Sequence, residues 1–227
     1  MKKIIFSILA CFTLATCVNA QILRAEELEK YAEKQYGKKW VEAAENLVSS
    51  LVLDKNKALT YVEVIEAPNK SRDQLYILLN YWFSTTFNDA NSVIQLNDKE
   101  SGTIIAKGFI EGIARHTGGM NSYNVNIKPI IKCDIKDNKI RITYTVPFYS
   151  VVKAVGSGIV GAMSGAVPVR SDENWTLDKC FPFDLKDRHK KASSKAFVMA
   201  HAYSNVIMDK IEEVVKNGLV GNETEDW

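Results

Sequence analysis

The twelve residues Cys133-Asp134-Ile135-Lys136-Asp137-Asn138-Lys139-Ile140-Arg141-Ile142-Thr143-Tyr144 read as two strands and the turn between them. Apolar side chains alternate with polar ones on both sides of Lys136-Asp137-Asn138-Lys139. Cys133, Ile135, Ile140, Ile142 and Tyr144 fall on one face, and Asp134, Arg141 and Thr143 on the other. A period of two places successive side chains on opposite faces of a pleated strand, so one face of this hairpin is covered and the other is left open. Asp and Asn tolerate the backbone that a tight connection needs, which supports antiparallel pairing.

Around this turn, Ser122–Ile135 reads as one long strand leading in, and Ile140–Pro147 as the strand leading out. Pro129 has no N–H to give to a ladder, so it predicts an edge position or a bulge. Further upstream lie Thr103–Ala114 and Val93–Leu96, joined through Asp98–Gly102, with Gly118-Gly119 as the next turn. Tyr61–Glu66 is another alternating strand, closed by Ala67-Pro68-Asn69. A helix comes after it: Ser71 and Gln74 match a capping box, and Leu75, Leu78, Leu79, Trp82, Phe83 and Thr86 continue at helical spacing. The last helix spans Ser193–Lys216, with Gly218 as its stop signal. Residues 22–57 form a helical pre-segment divided at Gly37. The order is therefore β-α-β(4)-α behind a helical pre-segment, and it predicts an α+β domain whose antiparallel sheet carries its helices on one face. That domain covers residues 58–218 after a pre-segment at 21–57, and 219–227 is an acidic tail.

The strand Tyr61–Glu66 ending in Ala67-Pro68, the capped helix with Leu75-Tyr76 and Trp82, the stretch Ile94-Gln95 to Gly102-Thr103-Ile104-Ile105-Ala106-Lys107-Gly108, and the hairpin Cys133–Tyr144 together resemble a family of exported bacterial domains of unknown function with a TATA-binding-protein-like (TBP-like) fold. The resemblance covers roughly 60–150 and, less specifically, the last helix. It implies the β-α-β(4)-α fold and brings no catalytic residues with it. The fold name does not imply DNA binding, because function resides in sites grafted onto folds.

The N-terminus is a leader. Met1-Lys2-Lys3 is basic, the run to Val18 is apolar apart from Ser and Thr, and Val18-Asn19-Ala20 is a small-residue cleavage site before Gln21. Residues 1–20 therefore predict a signal peptide and export to the periplasm or cell envelope. The alternative is a lipid anchor at Cys17, where Leu14-Ala15-Thr16-Cys17 approximates a lipobox. The chain of 227 residues has 29 Lys+Arg and 27 Asp+Glu, and losing Lys2 and Lys3 leaves 27 of each sign. A neutral domain lacks the cationic footprint of nucleic-acid binding, so nucleic acid is not expected as a partner. Only Cys133 and Cys180 outlast the leader, either as one disulfide or as two packed thiols.

Gly156-Ser157-Gly158-Ile159-Val160-Gly161 has the G-x-G-x-x-G spacing of dinucleotide sites. Pro168 interrupts the next segment and no second parallel strand is apparent, so the segment at 154–169 is expected to be a loop and no cofactor is implied. It carries no charge, which makes it a candidate for protein or peripheral membrane contact. His116, His189 and His201 show no metal-ligand spacing. Glu111, His116 and Cys133 are the components of a hydrolase, but nothing in the sequence brings them together.

The mixed face of the sheet remains. Strand alternation assigns it Ile65, Lys107, Phe109, Lys128, Ile130, Lys132 and Arg141. The expectation is an exported, non-enzymatic envelope module that binds a protein, peptide or glycan through this face or through the Gly-rich insertion. The alternatives are an envelope hydrolase using Glu111, His116 or Cys133, and a lipoprotein anchored at Cys17.

Overall fold

The computed structural model describes residues 25–87, 93–165 and 167–218. The leader, Cys17 and the acidic tail lie outside the described residues.

Two helices open the chain, α1 (Ala25–Tyr36) and α2 (Trp40–Val48), divided at Gly37, whose φ of 87° lies in the left-handed region that glycine adopts without strain. They are followed by β1 (Leu59–Glu66), α3 (Arg72–Thr86), β2 (Ile94–Asp98), β3 (Thr103–Lys107), β4 (Ile110–Thr117), β5 (Asn121–Ile127), β6 (Ile130–Lys136), β7 (Lys139–Val146) and β8 (Phe148–Val155). A short helix α4 (Ile159–Met163), an edge strand β9 (Val169–Thr176) and the long helix α5 (Lys190–Asn217) complete the order.

Among the described residues the strands form two antiparallel sheets, ordered β1-β7-β6-β3-β2 and β4-β5-β8-β9. The expected long strands are present but bent. Each continues from the first sheet into the second through a short break, at 108–109 between β3 and β4, at 128–129 between β5 and β6, and at Pro147 between β7 and β8. Pro129 therefore marks neither an edge nor a simple bulge. It lies in the middle strand at the corner, where its missing N–H costs no ladder bond and its carbonyl accepts from Gly108 N–H at 2.9 Å. A true bulge does occur in β4, where Gly112 adopts φ 66° and its N–H donates to the side chain of buried Asn126 at 2.8 Å.

The capping box of α3 forms as expected, with Ser71 accepting from Gln74 N–H and Gln74 accepting from Ser71 N–H. The β6–β7 turn ties this helix to the sheet: Asp137 accepts from Arg72 N–H at 2.7 Å, and Asn138, at φ 62°, accepts from Asn69 N–H and donates to the Lys70 carbonyl.

Between Ala192 and Met208 helix α5 is buried on most sides, and Phe197, Val198, Ala200, Ile207 and Ile211 are fully buried. It touches β1 and β7 of the first sheet, β4 and β5 of the second, and α1, α2 and α3 around its outer side. A helix buried on most of its faces is a core element. The pre-segment thus packs on α5 and β4 and leaves the opposite face of the first sheet uncovered.

Candidate functional site

The open face of the first sheet is built in rows by the strand register. Leu96, Ile105, Lys132, Thr143 and Val62 form one row, and Asp98, Thr103, Asp134, Arg141 and Val64 the next. Val62 is 61% exposed and Val64 53%. Between them and the sheet centre, Asp134 is held by Lys132 at 2.8 Å and by Arg141 at 2.8 Å. Burial raises the Asp134 pKa, but the hydrogen bonds and charges of Lys132 and Arg141 outweigh it and hold the carboxyl below its ordinary range.

Most of the residues expected on this face are there. Lys107 and Ile130 are register partners, and Lys128 Nζ lies 5.9 Å from the ring of exposed Phe109 at the corner. Ile65 is a correction. It pairs with Ile140, is 2% exposed and lies on the covered face, so the alternation of β1 is the reverse of that expected and Val62 and Val64 are the open-face residues. The basic character is also reduced, because Asp134 engages both Lys132 and Arg141.

The Gly-rich insertion joins β8 to β9, and two of its glycines, Gly158 and Gly161, are explained by packing. Gly156 has φ 81°; a Cβ on Gly158 would stand 2.4 Å from the Gly119 carbonyl, and one on Gly161 only 1.9 Å from that of Gly156. The turn lies against the β4–β5 loop, with Val160 N–H donating to Gly119 O at 2.9 Å and Gly156 N–H to Met120 O at 2.8 Å. The spacing that resembles a phosphate loop therefore serves backbone contact. Outside it, Met120, Ile159, Val160, Met163, Val167 and Val169 are each more than half exposed.

A cleft of 720 Å³ adjoins that tip, between α2, the β4–β5 loop and the start of α5. It continues into a smaller recess of 410 Å³ that shares Val41, His116 and Lys191. The only local sequence sign of the cleft is Arg188-His189-Lys190-Lys191, a run of four basic side chains. His189 stacks on Trp175 at 4.4 Å and meets Tyr123 at 4.9 Å, which gives the cleft an aromatic wall.

The hydrolase components remain apart. Cys133 is fully buried in β6, its thiol pushed up to about 12 by desolvation and then by Asp134, so the nucleophilic thiolate is suppressed. His116 lines the 720 Å³ cleft, whereas exposed Glu111 lines a different recess with Arg115 and Arg170. Cys180 is likewise a buried free thiol, raised to about 12 by desolvation and nearby aspartates, and no disulfide joins it to Cys133. His201 is packed between Tyr36 and Tyr61. Among the described residues no cluster of His, Cys, Asp or Glu is placed to hold a metal, and no helix is long and apolar enough to cross a membrane.

Residues 61–149 match the family described as a domain of unknown function (DUF4468) with TBP-like fold. Two solved structures are similar: a TBP-like protein from Parabacteroides distasonis, 14% identical with TM-score 0.49 over 71% of this chain and 95% of that one, and a DUF4468 family protein from Bacteroides ovatus, 13% identical with TM-score 0.45 over 79% and 94%. No curated protein matches this chain.

Proposed function

We propose, from the premise that residues 61–149 match the DUF4468 family with TBP-like fold, that this chain is a non-enzymatic binding module of the cell envelope and receives a partner protein on the open face of its first sheet. The observation that carries the reading is the exposed Val62–Val64 strip beside the Lys132–Asp134–Arg141 ion group, on the side of the sheet away from the helices. An apolar strip bordered by fixed charges suits a protein surface, which supplies apolar side chains to the centre of a contact and polar groups to its rim. Export to the envelope is supported by the leader at residues 1–20, and a mature terminus at Gln21 in the mass of the purified protein is its expected signature.

A photo-crosslinking residue placed at Val64 tests the surface, with the same residue at Ile77 as the control, since Ile77 is 64% exposed on α3. The expected result is one discrete protein adduct from position 64 and none from position 77, lost when Val62→Glu is added. Identical adduct patterns at both positions, or none from position 64, would remove the reading.

A further inference from the structure

The 720 Å³ cleft and its recess are lined by Lys39, Arg115, Arg188, Lys190, Lys191 and Lys195, with His116 and His189, and by no carboxylate. The cations are not equally engaged. Lys190 is paired with Glu45 at 3.3 Å, Lys39 with Glu42 at 3.2 Å, and Lys195 with Glu29. The side chains of Arg188, Lys191 and His116 have no ion pair or hydrogen bond among the described residues. In a chain with 27 charges of each sign beyond its leader, a concave surface whose charged lining is all cationic is a local excess that a bound anion would neutralise.

The cleft shares its rim with the apolar tip. Gly118, Gly119 and Met120 line the cleft, and the backbone of Gly119 and Met120 is hydrogen-bonded to Val160, Gly156 and Gly158 of the Gly-rich turn. Met163 is 85% exposed, Val167 86% and Ile159 66%, and none of these contributes to the core. An uncharged apolar projection beside a cationic hollow matches the layering of a bilayer surface, where acyl chains lie just beneath a plane of phosphates.

We propose that this end of the molecule docks on a membrane surface, with the tip of Met120, Ile159, Met163 and Val167 entering the interfacial layer and the cleft at Arg188 and Lys191 receiving the phosphate of an anionic lipid headgroup. The open face of the first sheet is not involved, so one molecule can hold a membrane and a partner at separate surfaces.

The test is co-sedimentation of the full chain with vesicles of phosphatidylglycerol and phosphatidylcholine, compared with vesicles of phosphatidylcholine alone. The quantity read is the ratio of the two bound fractions, and Lys2→Gln with Lys3→Gln is carried in every preparation, because the basic start of the chain would itself favour anionic headgroups. The otherwise unmodified chain is expected to favour the anionic vesicles and to lose that preference as salt is raised. Arg188→Gln and Lys191→Gln each lower binding to anionic vesicles about fivefold, the factor that corresponds to the ~1 kcal/mol typical of one surface cation. Met163→Asp with Val167→Asp lowers binding as well, whereas Lys99→Gln, in the β2–β3 turn, leaves it unchanged.

No anionic preference in the unmodified chain overturns the proposal. So does a preference that survives removal of both Arg188 and Lys191, or one unaffected by the two tip substitutions. Saturation of the cleft by millimolar inorganic phosphate without vesicle binding also overturns it, in favour of a soluble phosphate ester. All of these side chains are exposed or line the open cleft, and an unchanged melting temperature shows that a loss belongs to the surface.

Discussion

His201 lies between the rings of Tyr36 and Tyr61, 5.4 and 5.5 Å between centroids, with Nδ1 3.1 Å from the Tyr61 hydroxyl. Burial holds its pKa below the ordinary 6.5, because the charged imidazolium is the form that loses hydration. The unfolded chain then binds a proton more readily than the folded one, so stability is full above pH 6.5 and falls as the pH drops below it, until the lowered native pKa is reached. Urea midpoints between pH 7.5 and 5.5 are expected to decline, and His201→Gln to reduce the decline; an identical decline in the variant would exclude His201 as its source. Tyr144 makes the opposite kind of prediction. Its hydroxyl is buried without a hydrogen-bond partner among the described residues, so Tyr144→Phe is expected to raise stability by about 1 kcal/mol, the lower end of the cost of an orphaned polar group. A loss of similar size in a denaturant titration would show that the hydroxyl is satisfied. Among single residues the sequence was legible wherever one face was clearly apolar, as in Ile140, Ile142 and Tyr144. It misled at Ile65, because both faces of β1 carry apolar residues and only pairing with Ile140 decides which is covered.

Helix α3 and the Gly-rich turn show how far single elements could be read. The capping box of α3 was visible because both of its partners are local, Ser71 and Gln74. The strand β9 was not, since Val-Arg-Ser-Asp-Glu-Asn-Trp-Thr at 169–176 is exposed along most of its length and an edge strand with polar residues on both sides has no period to detect. The corners at Gly108, Pro129 and Pro147 were hidden for a different reason: alternation records that a segment is extended, not that it bends from one sheet into another. In the Gly-rich turn the lack of periodicity indicates a loop, and the structure adds α4 and a packing reason for Gly158 and Gly161. Gly158→Ala and Gly161→Ala are expected to cost roughly 1–3 kcal/mol each, the range for forced overpacking, because the clashing atoms are backbone carbonyls that cannot rotate away. Ile159→Ala, 66% exposed on the same turn, should leave the melting temperature nearly unchanged. Equal effects from all three would mean that the turn is not held by backbone contact.

Across the molecule, strand alternation made Lys107, Ile130, Lys132 and Arg141 of the open face legible without the Val62–Val64 strip beside them, whereas the basic cleft was hidden, because it gathers Val41, His116, Met120 and Arg188 from distant parts of the chain. The two ends are united by physical continuity: β3–β4, β5–β6 and β7–β8 run through the corner, and α5 touches both sheets. Because both sheets pack on this one helix and share continuous strands, they are expected to open together. The two buried thiols report on this, since Cys133 lies in the first sheet and Cys180 comes just after β9 of the second. With both thiols raised to about 12 and shielded, labelling by a thiol reagent requires opening. The expected outcome is equal protection of the two, read by mass spectrometry of separate peptides after correction for intrinsic reactivity. Ile113→Val, in the core of β4, should cost about 1 kcal/mol and hasten labelling of both cysteines about fivefold. If it hastens Cys180 alone, the second sheet opens independently, and the end that carries the basic cleft can loosen while the open face of the first sheet stays formed.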